Sequence, residues 1–383
     1  APTAVVEQAE PTTAPATPTP AVAQPKSGGV LKVAIQADVA GLDVFTASSY
    51  SSSLIFEQVY EGLLRYTPEM EIVPWLAESY EVQDPLTYVF KLRPGVKFHN
   101  GEEMTAADVK YSYERYKDPD VGSPRAVELE AVESIETPDD DTVILHLAYP
   151  FSPLLSYLAS QTLAIVPEGI AEEADLRTTL VGTGAFKFVE NIPNTRTVVE
   201  KNPDYWQEGK PYLDRIEFIP LPEDRSRTDN IVTGNVDYAD QIPQKDIDLL
   251  QGNEEIRLEG GLATLYDFLF FNTRNPPFDD MRVRQAISMA LDRKAMTDAV
   301  LYGHGHAQTC GPIAPWSWAF YDCGLYDTPD PAKAQELLAE AGYADGFSAV
   351  VKCGAPSNAQ SDAGQMVQEA LAPRGIAVEV VPG

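Results

Sequence analysis

The sequence predicts an α/β protein of more than one domain. The chain has 383 residues, which is enough for two or three domains that each bury a core. Between Val181 and Tyr238, predicted strands alternate with a predicted helix, which is typical of an α/β layer. The preceding block, residues 66–177, contains mostly short alternating apolar patterns and indicates a separate β-rich unit.

The composition excludes some partners. The chain carries 28 basic and 58 acidic residues, for a net charge of −30. Such a surface repels nucleic-acid phosphates and anionic lipid headgroups, so neither is expected as a partner. No run reaches the ~18 apolar residues that a membrane-spanning helix needs.

The first 27 residues differ from the rest of the chain. They are built mainly from Pro, Thr, Ala and Val and lack the apolar side chains that would offset the entropy of folding. The segment has no basic end followed by an apolar stretch, so it is not a signal peptide. Two interpretations stay open, which are a disordered tail and an extended tether between a membrane anchor and a folded body.

The folded body begins with a predicted buried strand, Val30–Ile35. A hydroxyl-rich loop follows, and Leu54–Leu63 then shows helical spacing, with Ser51–Ser53 as candidate N-cap residues. A loop that joins a strand to a helix start directs hydroxyl and amide groups beyond the carboxyl end of the strand. The alternative is that these serines only cap the helix and close turns.

Local patterns define the next elements. Thr87–Leu92 alternates as a half-buried strand does, and Thr105 with Asp108 forms a capping-box pattern at a helix start. The three aspartates at 139–141 lack the spacing of a calcium loop and are expected at a hairpin tip. Further elements are predicted as a hairpin over 185–200, a strand over 215–220, a helix near 224–233, a fully buried strand over 265–271, helices over 281–299, 331–341 and 364–371, and a strand over 376–381.

Cysteine and histidine spacing leaves questions open. Cys310 and Cys323 lie 13 residues apart and can bridge across a loop for about 3 kcal/mol, which would leave Cys353 over. His304 and His306 lie close together in a Gly-rich segment, where a solvent-exposed turn is the alternative to a metal site. No nucleophile elbow, zinc-protease motif or phosphate-binding loop is present, although abundant carboxylates keep a glycosidase-like hydrolase as a distant alternative.

Three segments of the sequence resemble one known family. Trp75–Tyr116 is similar to the signature of the extracytoplasmic solute-binding proteins, family 5, that serve peptide- and nickel-type ATP-binding-cassette (ABC) importers. Val181–Phe188 with Asn202–Trp206 resembles the middle segment of that family, and Pro277–Arg293 resembles its third block. The resemblance extends from Gly28 to Gly383 in the order of the family.

The resemblance implies the type II periplasmic-binding-protein architecture, a bilobal α/β fold with an extra β-rich domain. Residues 28–47 and 180–260 would form lobe I, residues 48–179 the additional domain, and residues 261–383 an incomplete lobe II, after a tether over residues 1–27. Members of the family are typically longer, and their chain returns to the first lobe, so the resemblance implies a C-terminal truncation. The acidic receptor for a peptide amino terminus would lie beyond Gly383.

The resemblance also implies a function. The protein would capture a small solute, a di- or oligopeptide, by hinge closure and deliver it to the membrane permease of an ABC importer. It would be an extracytoplasmic monomer with a lipid anchor upstream of residue 1, without cofactor, metal or catalysis. The residues that correspond by position to ligand-facing loops are Ser48, Ser49, Tyr50, Trp316, Trp318, Ser357 and Asn358.

Alternatives remain within the family. Trp316 and Trp318 can stack on sugar rings, which would suit an oligosaccharide carrier, or can be core or rim packing. Nickel is another solute of the family.

Overall fold

A computed structural model describes residues 25–160, 162–260, 266–308, 311–315, 317, 319–326, 328–354 and 358–382. The chain divides into two compact units. The first contains the described residues up to Arg227 together with Thr233–Asp240, and the second contains Thr228–Val232 and the described residues from Gln241 onward.

The secondary structure follows in chain order. The strands are β1 (Val30–Ile35), β2 (Leu64–Tyr66), β3 (Ile72–Pro74), β4 (Ala77–Asp84), β5 (Thr87–Leu92), β6 (Val132–Asp139), β7 (Thr142–Leu147), β8 (Phe186–Ile192), β9 (Arg196–Lys201), β10 (Arg215–Pro220), β11 (Tyr238–Ala239), β12 (Phe347–Cys353) and β13 (Ile376–Pro382). The helices are α1 (Tyr50–Val59), α2 (Ala106–Lys117), α3 (Leu154–Ala159), α4 (Ile170–Glu173), α5 (Asp224–Val232), α6 (Ile247–Gln251), α7 (Met281–Ala290), α8 (Arg293–Val300), α9 (Pro331–Glu340) and α10 (Asn358–Leu371).

A mixed sheet organises the first unit. Its strand order is β11-β1-β10-β9-β8, and β1 runs parallel to both β10 and β11. The carboxyl ends of these three strands, at Ile35, Pro220 and Ala239, therefore meet at one edge of the sheet. Ligands of open α/β sheets bind beyond such edges, so a binding site is expected at this edge.

The β-rich part of the first unit is an antiparallel sheet of order β4-β5-β7-β6. Its buried face, which includes Phe90 and Leu145, packs with Val109 and Tyr113 of α2 in one core cluster. The predicted capping box starts α2, because the Asp108 carboxylate accepts a hydrogen bond from the Thr105 backbone N–H. The hairpin whose tip was predicted at residues 139–141 is formed by β6 and β7. The mixed sheet contributes to the same core cluster, so both sheets share one apolar interior.

The second unit has its own core. Strands β12 and β13 pair in parallel from Phe347↔Ile376 to Cys353↔Pro382. Apolar side chains of α7, α9, α10 and β13 form a cluster that includes Ile287, Leu338 and Val378. No helix of the described residues combines the length and apolar character of a transmembrane span.

The fully buried strand predicted over 265–271 is wrong for residues 266–271, since none of them lies in a strand. Leu269 and Phe271 pack against the core of the second unit, whereas Tyr266, Phe268 and Phe270 are exposed. A fully buried strand needs cover on both faces, and this segment has cover on only one. Leu265 lies outside the described residues.

The single helix predicted over 281–299 is also wrong. The chain leaves α7 at Leu291 in an extended conformation, and the Asp292 carboxylate then caps α8 by accepting a hydrogen bond from the Ala295 N–H at 2.9 Å. An aspartate competes with helical hydrogen bonding in a helix interior and is favoured at an N-cap, which explains the break.

Candidate functional site

The candidate site lies where β1 leads into α1, at the carboxyl edge of the mixed sheet. Ser49 is the N-cap of α1, and its hydroxyl accepts a hydrogen bond from the Ser52 N–H at 3.1 Å. The predicted N-cap at Ser51–Ser53 is therefore wrong by two residues or more. The Ser51 hydroxyl donates to the Asp38 carbonyl at 2.8 Å, and the Ser52 hydroxyl donates to the Gly41 carbonyl at 2.6 Å. These bonds tie the start of α1 to the loop that follows β1.

Tyr50 is the residue of this loop that is presented outward. It is the first residue of α1 and is 53% exposed. Its hydroxyl is hydrogen-bonded to the Asp240 carboxylate just after β11. Burial of the hydroxyl, followed by the charge and hydrogen bond of Asp240, raises the pKa of Tyr50 to about 12. Tyr238 of β11 is similarly exposed, so two tyrosines and a carboxylate form a polar, aromatic corner at the sheet edge.

The structure describes four of the seven predicted site residues, Tyr50 among them. Ser48 is exposed, and Ser49 is partly buried beneath its capping bonds. Asn358 is the first residue of α10. Trp316, Trp318 and Ser357 lie outside the described residues, so their assignment stays a prediction.

Sequence reasoning missed Tyr238 and Asp240. Asp240 follows a short strand that is parallel to β1. The available signal was that Asp240 lies two residues after the predicted strand that ends at Tyr238. The sequence did not show that this strand, β11, is a neighbour of β1. This pairing is what brings Asp240 to Tyr50.

A buried carboxylate fixes the other end of α1. Glu61 is only 8% exposed and accepts four hydrogen bonds, two on each oxygen. Its Oε1 accepts from Trp75 Nε1 and the Tyr205 hydroxyl, both at 2.7 Å. Its Oε2 accepts from the Thr183 hydroxyl at 2.8 Å and from Trp206 Nε1 at 3.0 Å. Burial raises the pKa of Glu61, and the four donated hydrogen bonds oppose that shift.

Cation–π contacts extend the hydrogen-bond network that Glu61 forms with Trp75, Thr183, Tyr205 and Trp206, which we call the Glu61 network. The Trp75 and Trp206 rings meet edge to face at 5.2 Å. Arg65 lies 4.5 Å from the centre of the Trp75 ring, and Arg93 lies 4.6 Å from that of Trp206. Both indoles are thus held by a carboxylate at their N–H and by a guanidinium at their face.

The glycine turn Gly182–Gly184 closes the network against α1. The Gly184 N–H donates to the Val59 carbonyl at 2.9 Å, and a Cβ on Gly184 would lie 2.4 Å from the Gln58 carbonyl oxygen. Only glycine permits this approach. His99 holds the same turn: its Nε2 lies 2.9 Å from the Gly184 carbonyl, and its Nδ1 accepts from the Gly182 N–H. This arrangement requires a neutral imidazole with its proton on Nε2.

The remaining predictions concern a disulfide between Cys310 and Cys323 and a possible metal site at His304 and His306. Cys323 is in a disulfide bond, and Cys353 is a buried free thiol. The other member of the predicted pair, Cys310, lies outside the described residues. His304 Nε2 lies 3.2 Å from the Asp248 carboxylate. Within the described part of the chain, no group of three or more His, Cys, Asp or Glu side chains is placed to hold a metal ion.

The fold is that of a solute-binding protein. The family model for bacterial extracellular solute-binding proteins, family 5, matches residues 71–383, and the chain belongs to that family. The predicted family and fold class, that of the bilobal extracytoplasmic binding proteins of ABC importers, are confirmed, and so is the predicted solute-binding role.

Three proteins illustrate which members of the family this chain is similar to. The chain is 31% identical over 352 residues to a glutathione-binding protein, GsiB, of Pectobacterium atrosepticum, covering 91% of this chain and 68% of GsiB. The structure of AgaA of A. tumefaciens R10, in complex with agropinic acid, matches with a TM-score of 0.80 and 32% identity over 92% of this chain and 72% of AgaA. The ABC-transporter-associated protein DppA of Helicobacter pylori, in complex with the peptide STSA, matches with a TM-score of 0.83 and 27% identity over 94% of this chain and 74% of DppA.

We predict that Glu61→Gln destabilises the protein by about 2–4 kcal/mol, because the new amide group faces an indole N–H that can only donate. Urea unfolding measures this free energy. Glu78→Gln, on exposed strand β4, is the matched control and should stay within about 0.5 kcal/mol of wild type. Equal stability of the two variants would contradict the role of Glu61.

A second prediction concerns pH. Burial is the main reason that the pKa of His99 falls from 6.5 to about 4. His99 therefore contributes stability above pH ~6.5 that is lost as the pH falls toward ~4, up to about 3 kcal/mol. The advantage of wild type over His99→Gln in unfolding free energy should shrink over this range. A difference that stays constant from about pH 7 to about pH 4 would show that His99 is not buried neutral.

Proposed function

We propose that this protein captures a di- or oligopeptide, closes over it by a hinge motion and delivers it unchanged to the permease of an ABC importer. One observation carries the proposal: a chain of the family 5 solute-binding proteins presents Tyr50 on a rigidly capped helix at the carboxyl edge of its mixed sheet. The name of the relative GsiB states that it binds glutathione, and DppA is in complex with a peptide. Both support a peptide-like solute.

The chemistry of the corner suits such a solute. A peptide exposes backbone donors and acceptors along its length and apolar groups on its side chains. Tyr50 and Tyr238 offer large rigid surfaces with a polar end, and such side chains lose little conformational entropy on binding. The Asp240 carboxylate, which orients the Tyr50 hydroxyl, adds negative charge that favours an ammonium group. Burial of the solute between closed lobes would then supply the preference for the closed state that closure requires.

The remaining parts of the function are proposals of the same kind. Residues 1–27 would act as a tether from a lipid anchor upstream of residue 1, and the protein would act as a monomer. Trp316, Trp318, Ser357 and Asn358 would contact the solute. A different solute is favoured by one comparison, because AgaA, at 32% identity, is in complex with agropinic acid.

The identity of the solute is directly testable. We predict that protein purified from an expressing cell carries a bound peptide, because lobes closed over a ligand release it slowly. Denaturation followed by mass spectrometry of the released small molecules would identify it. Recovery of agropinic acid, a sugar or nickel would refute the peptide assignment, and conversion of the solute during incubation would show an enzyme.

Substitutions at Tyr50 test the site. Tyr50→Ala should weaken peptide binding by about tenfold or more, because it removes a large contact surface, and Tyr50→Phe should weaken it less. Isothermal titration calorimetry measures both. Tyr149→Ala is the control, since Tyr149 is exposed in the β-rich part of the unit and bonded to Glu130. If Tyr50→Ala and Tyr149→Ala leave the affinity equal, the sheet edge is not the binding site.

A further inference from the structure

A cavity of about 630 Å³ lies in the first unit, against the C-terminal part of α1. Its lining includes Leu213 and Ile216, at the amino end of β10. The carboxyl end of β10 is Pro220, four residues from Ile216, which corresponds to about 13 Å along the strand. Tyr50, Tyr238 and Asp240 do not line the cavity, although Glu57 of its lining lies near enough to Tyr50 and Asp240 for their charges to interact. The cavity therefore adjoins the corner where we place the peptide site and has its own lining. Its volume lies within the range of small-molecule sites, about 300–1,000 Å³.

The floor of the cavity is apolar. Phe186, Pro211 and Ile216 line it and are buried, and Ala159 and Ala185 lie among them. The small alanine side chains leave the space that a larger apolar group can fill. Transfer of an aromatic or branched aliphatic side chain from water to such a floor is favourable.

The walls are rigid. Trp75 and Tyr205 line the cavity, and each donates a hydrogen bond to the buried Glu61 carboxylate. Arg65 packs on the Trp75 ring. A site whose walls are fixed before binding costs less ordering entropy than one that forms around its ligand.

The mouth carries charges of both signs. Glu57 and Arg65 line it and are exposed, and Lys210 lies on the same rim, where its ammonium donates to Gln207 at 2.9 Å. Partial burial raises the pKa of Glu57, and the charge of Arg65 opposes that shift, so the two side chains lie near enough to interact. A carboxylate and a guanidinium at one opening match the ammonium and carboxylate of a zwitterion.

We propose that this cavity is a second binding site, next to the peptide site and lined by other residues, for a small zwitterion with a large apolar side chain, of the size of an aromatic amino acid or a dipeptide. The side chain would rest on Phe186 and Ile216. The ammonium would face Glu57, and the carboxylate would face Arg65 and Lys210.

The test uses the full chain and L-phenylalanine as the probe, with affinity measured by equilibrium dialysis. Glu57→Gln and Arg65→Gln should each weaken binding by about tenfold, because each removes one charge-assisted contact. Glu81→Gln, at an exposed position of β4, should leave it unchanged. Phenylpropionate and phenylethylamine, which each lack one of the two charges, should bind about tenfold more weakly than L-phenylalanine.

Several outcomes would overturn the proposal. They are no saturable binding of L-phenylalanine up to about 10 mM, equal affinity in wild type and Glu57→Gln, or displacement of L-phenylalanine by the peptide that occupies the solute site. In the last case the probe binds at the peptide site, so this proposal fails while the peptide function stands. Conversely, probe binding that requires Glu57 and Arg65 in a protein that binds no peptide would uphold the cavity and refute the peptide function. A crystal soaked with L-phenylalanine should show its ring against Phe186, and a ring elsewhere would refute the site.

Discussion

The structure of the first unit depends on the buried Glu61 carboxylate. Removing a carboxylate from water costs several kcal/mol, and each hydrogen bond to a charged group returns about 1.5–3 kcal/mol. Glu61 receives four such bonds, which together offset the cost of its burial. The donors come from three segments that are far apart in the sequence, which carry Trp75, Thr183 and the adjacent pair Tyr205 and Trp206. The carboxylate therefore couples the position of α1 to those of three separate segments.

This coupling determines how the candidate site is presented. The amino end of α1 is held by the bonds from Ser51 and Ser52 to the loop after β1. Its carboxyl end is held by the bond from Gly184 to Val59 and by Glu61 two residues later. A helix fixed at both ends cannot shift or rotate freely, so Tyr50 is displayed in one place.

Much of the local structure could be predicted from the sequence, because its causes are local. The pair Thr105 and Asp108 correctly predicted the start of α2, and the aspartates at 139–141 predicted the hairpin of β6 and β7. The wrong predictions concern elements that depend on distant contacts or on a choice between two local conformations of similar stability. The helix after Met281 breaks because Asp292 caps a new helix in place of continuing the old one. Residues 266–271 have the apolar content of a buried strand, but the neighbours that would bury both faces are not fixed by that segment.

The site was harder to predict for the same reason. The resemblance predicts Ser48–Tyr50 as site residues, since the loop after the first strand has a recognisable position in the family, and this assignment stays a prediction. Asp240 lies about 190 residues further on and reaches Tyr50 only because β11 pairs with β1 in parallel. Glu61 gave no signal either, as a glutamate between Tyr60 and Gly62 looks like an exposed residue at a helix end. Its role follows from four donors that only the tertiary fold assembles.

The segments that identify the family are mostly those that build this scaffold. Trp75, Thr183 and Trp206 bond to Glu61, and Gly184 lies against α1. In contrast, Tyr50, Tyr238 and Asp240, which form the outward corner, lie outside the three segments that carry the resemblance. A scaffold held together internally can therefore keep its fold while the corner varies, since the corner contributes little to the core. Relatives of this chain are named for glutathione, for a peptide complex and for agropinic acid, and one fold can carry sites for different ligands.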